Sequence, residues 1–81
     1  MDEELVFDIL DHIKVIHELS GIEYILRRDS KYGWSIWVRL SVEIRVFRGS
    51  LEKLNTQLAN LEKSARHWAD YLDEHGNHVH L

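Results

Sequence analysis

Apolar and polar side chains alternate along the 81 residues in a pattern that divides the chain into four elements. From position 34 to 47, Ile36, Val38, Leu40, Val42, Ile44 and Val46 take every second place, with Ser35, Arg39, Ser41, Glu43 and Arg45 between them. Period two over that length predicts a strand with one buried face across residues 34–47, unbroken by Gly, Pro or Asn. A shorter run, residues 22–29, places Ile22, Tyr24 and Leu26 on one side and predicts a second strand. A slip of one residue would turn one apolar face to water. The faces therefore coincide with Leu26 opposite Val38, Tyr24 opposite Leu40 and Ile22 opposite Val42. That register leaves Lys31, Tyr32 and Gly33 as a three-residue hairpin loop, with Gly33 where positive φ is needed. It also sets Arg27 against Trp37, a cation–π pair, and Ile25 against Arg39.

The flanks change period. Residues 2–20 carry Val6, Ile9, Leu10, Ile13 and Ile16 at spacings of three and four, which predicts an amphipathic helix. Asp2 suits its N-cap, Glu3 and Glu4 suit the positive end of its dipole, and Gly21 stops it. After Gly49, Ser50 is placed to cap a second helix over residues 51–74, about 36 Å long. Its seam of Leu51, Leu54, Leu58, Leu61, Ala65, Trp68 and Leu72 suits either packing in cis or a coiled coil. The flanking Asn55, Gln57, Glu62, Ser64, Ala69 and Tyr71 lack the opposed Glu and Lys that fix coiled-coil pairing, so packing on the sheet and first helix is the simpler expectation. A tail, residues 75–81, completes the chain. The expected fold is α+β, a single helix-strand-strand-helix domain with both helices against one face of a small antiparallel hairpin sheet.

In that register residues 43–47 extend past the end of the first strand. An exposed apolar edge is normally paired, covered or charged, and Arg45 and Arg48 offer charge. Self-pairing across a two-fold axis through Glu43, Ile44 and Val46 is the favoured expectation, because a two-stranded sheet is a poor one. The result would be a homodimer with a four-stranded sheet.

Composition adds bounds. A chain that is 44% hydrophobic and 30% charged, with four Gly and no Pro, is globular rather than disordered. At 81 residues it sits near the lower limit for an unaided core, and with no Cys it has no disulfides to help. No apolar run approaches the length of a membrane span, and the acidic start, Asp2 to Glu4, does not resemble a signal peptide. A soluble, cytoplasmic protein is expected. Net charge is −4, unevenly spread: residues 27–53 hold seven basic against three acidic side chains, while residues 1–26 hold seven carboxylates and one lysine. Glu4, Asp8, Asp11 and Glu18 form a stripe on the first helix that either mimics nucleic-acid phosphates or, more simply, is its solvated face.

No residue set demands catalysis. There is no Cys, no Ser in an activating setting and no glycine-rich phosphate loop. His67 and Asp70 are within reach of each other on a helix, as surface pairs commonly are. His12 and His17 do not share a face and read as boundary residues. His75, His78 and His80 are weak candidate metal ligands, because no second cluster at a recognised spacing completes them. Neither cofactor nor metal is expected.

The sheet face turned from the core should carry Trp37, Arg39, Ser41, Glu43, Arg45 and Phe47 with Ile25 and Arg27. Trp, Phe and Arg anchor protein interfaces, and the same residues serve single-strand stacking platforms. A helix covering this face is the third reading. The acidic total and lack of a ribonucleoprotein motif favour protein over nucleic acid. The expected function is a non-enzymatic protein-interaction module, a homodimeric adaptor or inhibitor of the kind phages direct at host proteins. It would bind through Trp37, Arg39, Arg45, Phe47 and Arg27, or through the acidic helix; a nucleic-acid-binding module on the same sheet face is the alternative.

Overall fold

The computed structural model describes residues 2–75, with side chains as far as Tyr71. Five elements follow in order: α1 (Asp2–Ser20), β1 (Glu23–Asp29), β2 (Gly33–Arg39), β3 (Glu43–Gly49) and α2 (Leu51–His75). The sheet is an antiparallel meander, β1-β2-β3, and the α+β class with both helices on one face is as expected.

The strand count differs from expectation. Residues 34–47 do not form one strand: the chain reverses at Leu40, Ser41 and Val42, where the Leu40 amide donates to the Val42 carbonyl at 2.9 Å. Glu43–Gly49 then pairs back on β2, from Arg39 opposite Glu43 to Trp34 opposite Gly49. A straight strand of fourteen residues would span about 46 Å and leave half its ladder unpaired, whereas folding back satisfies it within the chain. The segment containing Glu43, Ile44 and Val46 is therefore paired with β2 on one side, while its other side remains an edge of the sheet.

The β1–β2 register also differs, by two residues. Leu26 opposes Ile36, Tyr24 opposes Val38, Ile25 opposes Trp37 and Asp29 opposes Gly33. A shift of two keeps every side chain on its expected face. The cause is Asp29, whose Oδ1 accepts from the Lys31 and Tyr32 amides at 2.8 and 3.0 Å and closes the turn one residue early. Gly33 has the expected positive φ, +93°.

A second irregularity lies in β3. Ile36 opposes Phe47 while Trp37 opposes Arg45, so Val46 is the extra residue of a β-bulge. The alternation flips there and turns Phe47 inward. The core comprises Ile9 and Ile16 of α1, Ile36 of β2, and Leu51, Leu54 and Leu58 of α2, with Tyr24, Leu26, Trp34, Phe47 and Leu61 half-buried around it. Leu10, expected with this group, is exposed.

The end of α1 and the start of α2 follow the sequence, while Asp2, expected as the N-cap of α1, is already helical. The Gly21 amide donates to the His17 carbonyl at 2.8 Å with φ +76°, a left-handed stop to α1. Ser50 Oγ accepts from the Lys53 amide at 3.2 Å and caps α2. The α2 seam packs in cis through Leu51, Leu54, Leu58 and Leu61, then emerges at Trp68, which is 59% exposed. No helix among the described residues is long and apolar enough to cross a membrane.

Between the helices, His12 Nδ1 lies 2.7 Å from Glu62 Oε1, and Arg66 Nε donates to Glu62 Oε2 at 3.3 Å. The bond with His12 is the main reason the Glu62 carboxyl is held below its usual range. A depressed folded-state value adds stability that is present above the unfolded value and disappears as pH falls through the folded one. Glu62→Gln should therefore melt lower than the native chain at neutral pH, and the gap should close below about pH 4. Melts by circular dichroism between neutral and acid pH check this; a gap that persists or widens in acid would contradict it.

Candidate functional site

Both helices pack on the face bearing Tyr24, Leu26, Ile36 and Phe47, which leaves the opposite face of the sheet uncovered. The reading in which a helix covers it does not hold. At its centre is Trp37 on β2. Its ring is bracketed by the guanidinium carbons of Arg27 from β1, at 5.0 Å, and of Arg45 from β3, at 5.6 Å. The indole Nε1 donates to Ser35 Oγ at 2.9 Å, fixing the ring over a serine that is itself buried. The expected contact of Arg27 with Trp37 is present, reached diagonally because Arg27 directly opposes Ser35.

The other charges of this face are paired. Arg27 and Arg39 both bond Glu43, the latter from Nη2 to Oε2 at 3.2 Å, and Arg39 Nη1 reaches Glu23 Oε2 at 3.3 Å. The Arg27 bond chiefly holds the Glu43 carboxyl below its usual range. With Glu23, Glu43, Arg27, Arg39 and Arg45 on one surface, a single positive charge is in surplus, and Arg45, stacked on Trp37, is its carrier.

A second aromatic–cation group sits at the β1–β2 turn. Tyr32 lies between Arg48, at 4.8 Å, and Lys31, at 5.4 Å, and Arg48 Nε donates to Asp29 Oδ2 at 3.1 Å. The Tyr32 and Lys31 amides lead the causes that lower the Asp29 carboxyl, with Arg48 adding to them. Arg28 stacks on Trp34 at 4.8 Å.

Of the expected binding residues, the structure brings Trp37, Arg27, Arg39 and Arg45 together. It removes Phe47, which the bulge turns into the core. Glu43, expected as an edge residue, lies on the edge strand β3 and is the carboxylate that joins β1 to the β2–β3 hairpin, through Arg27 and Arg39. Glu4, Asp8, Asp11 and Glu18 are all exposed along α1. His67 stands edge-on to Trp68 at 5.8 Å. The side chain of His75, and His78 and His80, lie outside the described residues, and no group of three metal-ligating side chains occurs among the described ones.

The sequence reading missed an open apolar groove of about 390 Å³ where the helices end, lined by Leu19, Ile22, Tyr24, Leu61, Ala65 and Trp68 among others and by no charged residue. Its signal was the late α2 seam, which runs beyond the length that α1 can cover. The chain matches no family model, no curated protein and no solved structure.

Proposed function

We propose that the chain is a non-enzymatic protein-binding module, an adaptor or inhibitor, and that the uncovered sheet face is its binding surface. One observation carries this reading: Trp37 is held between two guanidinium groups on a surface whose remaining charges already neutralise one another. A polyanion gains by neutralising free cations, and its affinity is dominated by that gain. Here Arg27 and Arg39 are already committed to Glu23 and Glu43, so a nucleic acid would have to displace them. A rigid indole flanked by arginines and rimmed by fixed ion pairs has the residue types of a protein hot spot, in which large side chains are ordered before the partner arrives.

A photocrosslinking residue at position 45, introduced in the producing cells, should capture one defined protein other than a second copy of the chain. Trp37→Ala should abolish the capture while the chain stays folded, with a melting temperature lowered less than by Phe47→Ala. Binding of a labelled single-stranded oligonucleotide that weakens steeply with salt and disappears in Trp37→Ala would overturn the protein reading in favour of the nucleic-acid one.

A further inference from the structure

Leu40, Ser41 and Val42 turn the chain through a half circle with Ser41 as the one residue of a type that favours turns, and with no Gly, Asn, Asp or Pro. Hairpin links of this length normally place Gly at their last position, where the backbone is left-handed. Here that position is Val42, and no non-glycine residue of the described chain has positive φ. The apolar alternation runs straight through the link, as it would in a strand. Leu40 and Val42 stand 59% and 63% exposed at the tip, and Ile44 beside them is 46% exposed. Val42 prefers extended chain, no residue of the link favours left-handed backbone, and the bend is held by the pairing of β3 on β2 and by the Leu40 amide on the Val42 carbonyl.

That pairing can be made by another copy. If Leu40–Val42 straightens, β2 and β3 become one strand, and two such strands run antiparallel about a two-fold axis at Ser41. All pairs from Arg39 opposite Glu43 to Trp34 opposite Gly49 are then remade between chains in the same register. The register continues inward, setting Leu40 against the partner's Val42 and Ser41 against the partner's Ser41. We propose that the chain forms a homodimer by exchanging β3 and α2 through this hinge, giving one four-stranded sheet to which each copy contributes β1 and one long strand. Two exposed apolar tips become two cross-strand pairs, each of a type that stabilises a sheet. The exchange loses none of the core, because α2 of each copy seats Leu51, Leu54 and Leu58 on the other copy as it does here on its own. Exchange of identical elements is a low-cost route to a two-fold dimer. It also places a guanidinium from each copy on the other's Trp37, since Arg45 travels with β3. The proposal does not depend on what the outer face binds.

Sedimentation equilibrium should give twice the 9.7 kDa chain mass. The decisive variant is Val38→Cys/Ile44→Cys, whose two sites oppose one another across the β2–β3 ladder. In the dimer fraction, oxidation should link chain to chain and give a two-chain species on a non-reducing gel; a single-chain product would overturn the exchange. A second variant, Ser41→Asn/Val42→Gly, supplies the missing turn chemistry and should be a folded monomer at every concentration. A dimer that survives this change, or a native chain that is monomeric throughout, would equally overturn the proposal.

Discussion

Leu54→Ala should cost about 3 kcal/mol of folding stability, within the range of large-to-small changes at buried leucines. Leu54 is fully buried, and it is one of only six side chains that form the core among the described residues. A domain of this length has a total stability on the order of 4–12 kcal/mol, so the loss takes a quarter or more of it. The midpoint of urea unfolding should move to markedly lower concentration at an unchanged slope. A loss under about 1 kcal/mol would mean that α1 and the sheet close around the gap, contrary to what a core so thin and so enclosed implies.

Phe47→Ala and Trp37→Ala should part company. Two residues that period two alone places on the same face have opposite roles because of one extra residue, Val46. Phe47→Ala opens a space beside Ile36 and should cost about 2–3 kcal/mol, below the usual range for a fully buried aromatic because the ring is only half-buried. Trp37→Ala removes a ring from the uncovered face and two cation–π contacts, each worth about 0.5–1 kcal/mol at an exposed site. It should therefore cost less, and its main effect should be on binding. Paired urea titrations measure both. Equal losses, or a greater loss at Trp37, would contradict the assignment of faces.

The sequence told much about what is local and little about what is not. Gly21, Gly33 and Ser50 act where they were expected, because each serves a backbone need within four residues of itself. The helical seams were readable for the same reason: three- and four-residue spacing is an intrinsic property of the helix. The third strand was hidden because the link of Leu40, Ser41 and Val42 holds one weak turn residue, Ser41, and it falls where a strand would also place a polar side chain. A length argument would have found it, since strands rarely exceed ten residues and fourteen would overrun the sheet. The bulge at Val46 left no mark on the alternation, because a bulge changes which residue is counted and not which residues are present. The His12–Glu62 contact joins residues far apart in the chain, and the ion pairs at Glu43 depend on a register that only the Asp29 turn decides.

The odd number of strands has an electrical consequence. With two strands the helices would run in opposite directions and their dipoles would offset one another. Three strands return the chain in its original sense, so α1 and α2 lie parallel: Asp2 and Leu5 share a hollow with Ser50, Leu51 and Glu52, while Leu19 lines the same groove as Leu61 and Ala65 at the far end of α1. Both positive ends therefore stand side by side, each worth roughly half a charge. The first turns hold Asp2, Glu3, Glu4 and Glu52. Much of the acidity at the start of the chain is thus explained as compensation for two aligned helices, which leaves less of it to be assigned to any partner.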